Sequence, residues 1–433
     1  MPGNQPNESS FVKKLLLGKS KTFCMIPWVH LHTTPEGVAA PCCIAESCAT
    51  KEGVGDSKTQ GLMELVNSEK MNQLRLDMLT GKENIECSKC YNHDAQGIDS
   101  FRTTSNKQWK NSFDDVLENT NLEDGSLKEF KMRYFDIRFS NICNFKCRTC
   151  GSAFSTQWEQ EDLKNGVFYA KIIPKNNNKK FLQDVLDQIP NMEIAYFAGG
   201  EPLITEEHYI LLEEMIRSSH TDILLRYNTN LSNLKFKDKD LLGLWKHFSQ
   251  KIQVYASIDH CKERAEYIRH GTDWGQVETN FMLAKQTPYV NIQINTVLSV
   301  FNYLTIDEFY QYLIDKGMYT NKDAVFTLYN MTTPDHLTCH ILPPEYKVKG
   351  EESINRAIQY MRNNDFLDLH TQQLEVAPGW VNHKDNWDEQ KVKFKEEVKR
   401  LDAIRGESFM ETFPEIANLY KPEQRVRARM APV

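Results

Sequence analysis

Three cysteines, Cys143, Cys147 and Cys150, stand in the run NICNFKCRTC with the spacing CxxxCxxC. Thiolates are the usual ligands of iron-sulfur clusters and also bind zinc. Three thiolates on a four-iron cubane leave one iron open to a small molecule. A zinc site would need a fourth ligand, a histidine or a distant cysteine. Spacing alone leaves both readings open. A second group lies nearer the N-terminus, where Cys24, Cys42, Cys43 and Cys48 are followed by the CxxC pair Cys87 and Cys90. Two thiols from a hairpin and two from a tight turn, Cys24, Cys42, Cys87 and Cys90, can close a four-cysteine site, with Cys43 the alternate to Cys42 and Cys48 a further substitute. Zinc and iron-sulfur both fit there. A closed site suits electron transfer or structure rather than substrate ligation. The nearby His30, His32 and His93 read as ordinary polar or packing residues.

The elements that would position these thiols follow from hydrophobic period. Short β-rich runs at 132–139, 193–197, 223–228, 252–257, 290–297 and 324–329 alternate with helical patterns near 206–217, 241–248, 274–285 and 306–316. Six strands with crossover helices predict a parallel sheet, open or curled into part of a barrel. Cys143 follows the first of these strands. Gly199-Gly200-Glu201-Pro202 follows the second, Asn228-Thr229-Asn230 ends the third, and Ser257-Ile258-Asp259-His260 ends the fourth. Carboxyl ends of parallel strands are where βα folds assemble their sites. Glycines let backbone approach a ligand closely, a carboxylate such as Glu201 suits an ammonium, and a serine or arginine such as Ser257 or Arg269 suits a carboxylate or ribose. Taken singly, Gly-Gly-Glu-Pro is an ordinary turn and Ser257 an ordinary strand end.

The division expected is a tail at 1–22, a cysteine-rich unit at 23–105 with a helix over 62–79, a linker at 106–130, the βα region at 131–335, and a helical region with tail at 336–433, including a helix over 387–404. A length of 433 residues predicts two or three structural units. A net charge of -7 argues against a general nucleic-acid binder, since only 425–429 is locally basic. No apolar run of membrane-spanning length appears and the start lacks a secretory signal, which points to a cytoplasmic protein with no membrane partner. The 11 cysteines are odd in number and clustered, which disulfides explain poorly.

The CxxxCxxC run after a first strand resembles the signature of the radical S-adenosylmethionine superfamily. That resemblance implies a partial (β/α)6 barrel, a 4Fe-4S cluster on Cys143, Cys147 and Cys150, and S-adenosylmethionine bound at the open iron. Its cleavage in that family yields a 5′-deoxyadenosyl radical that abstracts hydrogen from substrate. The cofactor carries the hard chemistry and the protein supplies placement. The resemblance further implies that Gly199, Gly200 and Glu201 hold the methionyl amino group. Ser257 and Arg269 look like the pair that contacts S-adenosylmethionine in peptide-modifying members such as the anaerobic sulfatase-maturating enzymes, and Asn230 is a further pocket candidate. Thr149 stands where the family often has an aromatic residue beside adenine, and His260 where it often has glycine.

The spacing from Cys24 through Gly37 to Cys42, with Cys87 and Cys90, is similar to the SPASM/twitch domains that hold an auxiliary cluster, so two 4Fe-4S clusters are expected. Here that segment precedes the barrel, whereas twitch domains commonly follow it. Cys261 could donate a hydrogen atom and Asp259 or Glu263 could act as base, although inert filler and helix-start acids are the commoner roles. The expected activity is hydrogen abstraction from a peptide or protein, giving an oxidation, crosslink or epimerised centre, with electrons from a flavodoxin or ferredoxin. Radical chemistry on a sugar or small metabolite is the alternative. A non-catalytic zinc or iron-sulfur protein is the reading from another class.

Overall fold

The computed structural model describes residues 8–167 and 172–420. The basic stretch at 425–429 lies outside the described residues. Nine strands form one sheet. They are β1 (His30–Thr33), β2 (Val38–Ala40), β3 (Gly55–Asp56), β4 (Tyr134–Ile137), β5 (Ile194–Phe197), β6 (Leu224–Thr229), β9 (Ile252–Ser257), β10 (Val290–Leu298) and β11 (Thr327–Asn330). The short strands β7 (Lys235–Phe236) and β8 (Lys239–Asp240) pair only with each other.

The order across the large sheet is β11-β10-β9-β6-β5-β4-β1-β2-β3. From β4 to β11 every pairing is parallel, so the six expected strands form in the expected sequence. The crossovers carry helices, among them Thr156–Lys164, Glu206–Arg217, Trp274–Gln286 and Ile306–Asp315. Along β9 and β10 buried and half-buried residues alternate. Ile252, Val254 and Ala256 pack into the apolar core, and Gln253, Tyr255 and Ser257 point to the other, polar face.

The cysteine-rich segment shares this sheet. β1 pairs in parallel with β4, setting His30 against Tyr134 and His32 against Asp136. The first barrel strand would otherwise present a row of unpaired backbone groups, and β1 covers that edge. The segment expected as a linker is largely helical, over Phe101–Trp109 and Phe113–Asn119. Asn106 in it, and Arg102 just before it on the same helix, bind the backbone of Phe23 and Met25. Among the described residues, buried apolar side chains form one continuous core from Leu16 to Leu419, rather than two or three separate ones.

The single helix expected over 62–79 is two, Leu62–Val66 and Glu69–Thr80. Ser68 separates them, because its hydroxyl accepts the Met71 N–H and starts the second helix. The C-terminal helix expected over 387–404 runs Trp387–Arg405 and ends at Gly406 in the left-handed conformation.

Candidate functional site

Cys143, Cys147 and Cys150 lie in the loop after β4, and every wall of that loop is tied down. Lys146 and Arg148 donate backbone N–H groups to the carbonyls of His270 and Ile268, at 2.9 and 2.8 Å. Trp158 Nε1 donates to the Cys147 carbonyl at 2.7 Å, and Ser155 Oγ to that of Phe145 at 2.5 Å. Asn230 reaches Asn144 from the end of β6 at 3.0 Å. Gly200 meets the loop from below. A Cβ there would fall 2.2 Å from the Ile142 carbonyl oxygen, so only glycine permits this approach. Gly199 beside it has φ of +130°, which favours glycine again.

A cavity of about 830 Å³, open to solvent, is lined by the three cysteines together with Thr149, Gly199, Gly200, Glu201, Asn230, Ser257 and Arg269. All of the residues expected at the thiol and cofactor site therefore line one cavity, at the carboxyl ends of β4, β5, β6 and β9, with Arg269 reaching it from the end of the helix Lys262–Ile268. Burial pushes the Cys147 thiol up to about 12, with the Arg269 guanidinium opposing that rise. The Cys143 thiol is also raised by burial, and its sulfur lies 3.4 Å from the Phe145 N–H. Glu201 is 1% exposed. Its carboxylate accepts from Leu203 N at 3.0 Å, Thr229 Oγ1 at 2.7 Å and Asn230 N at 2.7 Å, so it braces the ends of β5 and β6 together. Burial raises its pKa to about 7 against the pull of those hydrogen bonds.

Two further candidates sit elsewhere. Asp259 does not line the cavity. It is buried behind Arg269, with Oδ2 2.8 Å from Arg269 Nε but out of line for a hydrogen bond. Cys261 is buried at the start of the helix Lys262–Ile268, where its sulfur touches His260 Nδ1 at 3.6 Å. This places it outside the cavity lining as well.

The second cysteine group lines its own cavity of about 390 Å³. Cys24, Cys42, Cys87 and Cys90 all contribute, among apolar neighbours such as Ile26, Leu74, Met78 and Phe101. Cys43 does not line it. Burial pushes the Cys43 thiol up to about 11, Asp136 adding to the rise and Arg138 opposing it, which places Cys43 on the side facing β4. Cys48 donates to the Cys42 carbonyl at 3.3 Å. Of the nearby histidines, His32 Nδ1 donates to Asp136 at 2.9 Å, and His30 stacks on Tyr134 with ring centroids 4.6 Å apart.

Both cavities suit iron-sulfur clusters. Each gathers thiols, the ligands such clusters use, and the first adds a glycine cradle and a cationic wall. Among the described residues no three histidine, cysteine, aspartate or glutamate side chains converge on a single metal-ion position.

The sequence reading missed several residues that shape the first site. Arg138 and Tyr196 line it. Arg138 directly follows β4 and Tyr196 lies in β5, so both come from the strands that position the cysteine loop and the double-glycine turn. At the far end of the chain, Asp402 and Glu407 each take Arg148 Nη2 at 2.6 Å, and His270 Nδ1 lies 2.5 Å from Glu407. Arg148 also stacks over the Tyr267 ring at 3.6 Å. Arg405 and Lys146 share Glu161. The C-terminal region thus clamps the cysteine loop from behind.

Residues 24–91 match the family model of SPASM, an iron-sulfur cluster-binding domain. No curated protein sequence matches the chain. Among solved structures it is similar to anSMEcpe with bound AdoMet and Cp18Cys peptide, at 18% identity and a TM-score of 0.36, over 53% of this chain and 60% of that one. It is similar to Streptococcus suis SuiB bound to precursor peptide SuiA, at 13% identity and 0.33, over 58% and 55%. It is also similar to TYW1 with a lysine-pyruvate adduct bound, at 14% identity and 0.28, over 48% and 68%. The chain thus spans about 60% of the length of the first of these structures. The SPASM match bears out the iron-sulfur domain expected from the N-terminal cysteines, and it places that domain ahead of a parallel βα sheet rather than after it.

Proposed function

We propose that the chain is a radical S-adenosylmethionine enzyme. Cys143, Cys147 and Cys150 would hold a 4Fe-4S cluster with one open iron, and Cys24, Cys42, Cys87 and Cys90 a second, closed cluster. The observation that carries this reading is the convergence of three thiols, a double-glycine turn, a serine and an arginine from four strand ends on one cavity. When bound, the first cluster supplies the electron that cleaves S-adenosylmethionine to the radical that abstracts hydrogen.

The protein's own groups have definite tasks in this reading. Arg269, backed by Asp259, turns its remaining nitrogens to the cofactor carboxylate. Ser257 and Asn230 offer hydroxyl and amide groups to ribose or carboxylate, and Thr149 borders the adenine side. Gly199 and Gly200 admit the methionyl amino group close to backbone, while Glu201 keeps the turn in place and adds negative charge. The loop clamp of Arg148, Asp402 and Glu407 holds the thiols in register.

A peptide or protein is the substrate class this reading favours, on the resemblance of Ser257 and Arg269 to the peptide-modifying members. A flavodoxin or ferredoxin would be the electron donor. No described helix is long and apolar enough to cross a membrane. The reading is tested by anaerobic reconstitution followed by electron paramagnetic resonance of the reduced protein. Two four-iron signals are expected, of which one shifts on adding S-adenosylmethionine and is absent in Cys147→Ala. Zinc in place of iron, or two signals that both ignore S-adenosylmethionine, would overturn it.

A further inference from the structure

Three charged side chains line the thiol cavity: Arg138, Arg269 and Glu201. Glu201 is engaged by three hydrogen bonds from the protein, and Arg269 stands against Asp259. With Arg269 given to the cofactor in the reading above, Arg138 is the cation left for another ligand. Its Nε lies 3.4 Å from Asp136 Oδ1, and among the described residues its two terminal nitrogens make no hydrogen bond. Its stem runs along the double-glycine turn, since a Cβ on Gly199 would sit 3.6 Å from Arg138 Cβ, Cγ and Cδ. Arg138 is thus packed against that turn in the wall of the thiol cavity.

The support behind Arg138 is built and fully buried. Asp136 is 0% exposed and His32 2%. His32 Nδ1 donates to Asp136 Oδ2 at 2.9 Å, leaving Oδ1 for the arginine. Burial would raise the Asp136 carboxyl, but His32 and Arg138 together hold it well below the usual carboxylate range. One carboxylate thus orients Arg138 while also answering a histidine, so it does not use up the guanidinium's donors. Tyr196 lines the same wall and adds a phenol. A planar fork of donors presented this way matches a carboxylate or a phosphate in two parallel hydrogen bonds. The arginine lies on the β4 side of the cavity, toward Cys43, and away from Arg269 on the β9 side.

From this geometry we infer that Arg138 is a substrate-binding residue that anchors an oxyanion, a carboxylate or a phosphate, with Asp136 and His32 as its positioning residues. The inference rests on the reading above, in which Arg269 and Ser257 take the cofactor. It specifies the substrate further: the molecule that enters this cavity carries negative charge close to the hydrogen to be abstracted.

The test is isothermal titration of inorganic phosphate, and separately of succinate, into the reconstituted full chain saturated with S-adenosylmethionine. One of the two is expected to bind saturably, phosphate marking a phosphorylated substrate and succinate a carboxylate one. Arg138→Gln should weaken that binding at least tenfold. Arg138→Lys, which keeps charge and loses the fork, should fall between. Equal affinity in all three proteins, binding of neither anion, or binding that appears only when S-adenosylmethionine is left out would overturn the inference. Should Arg138→Gln not fold, the wild type against Arg138→Lys still decides. Failure of S-adenosylmethionine cleavage with retained, Arg138-dependent anion binding would count against the cofactor reading alone.

Discussion

The two cysteine sites use the same ligand type in opposite settings. Around Cys24, Cys42, Cys87 and Cys90 the walls are mainly apolar, with Glu86, Lys89 and Arg102 the charged residues among them, and the thiols come from the β1–β2 region and a helical turn. Around Cys143, Cys147 and Cys150 the walls carry two arginines, a glutamate and a serine, and the cavity opens to solvent. A mainly apolar wall offers few groups to bind or orient a substrate, while a polar wall at strand ends offers several. On the proposed reading, what separates a closed cluster from a working one is therefore the company of the thiols more than their number.

That contrast can be broken most forcefully at the thiols themselves. Cys147→Ala should reduce S-adenosylmethionine cleavage to background while the N-terminal cluster stays, read as a halved iron content with one paramagnetic signal left. Replacing Cys87 and Cys90 together by alanine should do the converse, losing the second signal and keeping reductant-dependent cleavage uncoupled from product. Equal loss of cleavage in both variants would erase the distinction between the sites.

The next effect concerns the clamp behind the open site. Arg148 is buried against Asp402 and Glu407, and breaking such a pair from one side costs roughly 3–5 kcal/mol. Arg148→Met should lower the unfolding midpoint and loosen the first cluster, seen as faster iron release to a chelator, with the second cluster unaffected. Release from both sites at the same increased rate would show that the clamp serves the whole fold rather than this loop. Gly200→Ala acts more locally. Its Cβ would meet the Ile142 carbonyl, and relieving such overpacking costs about 1–3 kcal/mol. S-adenosylmethionine affinity should fall, with both clusters still assembled.

The smallest effect is in pH. Glu201 has a folded pKa of about 7, raised by burial from an ordinary 4.5. The folded state therefore holds this proton more tightly than the unfolded state. Its stabilising contribution is full below about pH 4.5 and is lost as pH rises through 7. The difference in denaturant midpoint between the wild type and Glu201→Gln should drift against the wild type from pH 5 to pH 8. A flat difference would show that Glu201 titrates normally.

Much of this arrangement is readable along the chain because local patterns carry it. In the strand at 252–257 the alternation of apolar and polar residues puts Ile252, Val254 and Ala256 in the core, and Ser257 on the other face follows from that register. Gly199 and Gly200 are legible because a backbone that must approach a neighbour closely excludes side chains. The pairing of β1 with β4 is not legible, since two edges choose each other across some hundred residues with no local mark. Nor is the meeting of Arg148 with Asp402 and Glu407, whose charges read as solvated on a helix until the fold buries them. Ser68 shows the same limit at short range, where one hydroxyl divides a continuous apolar stripe into two helices.

The central claim is tested most directly by incubating the anaerobically reconstituted protein with S-adenosylmethionine, with and without dithionite, and measuring 5′-deoxyadenosine. Reductant-dependent formation in the wild type, absent in Cys147→Ala and retained when Cys87 and Cys90 are replaced, is the result expected. No 5′-deoxyadenosine from a protein holding both clusters would contradict the account.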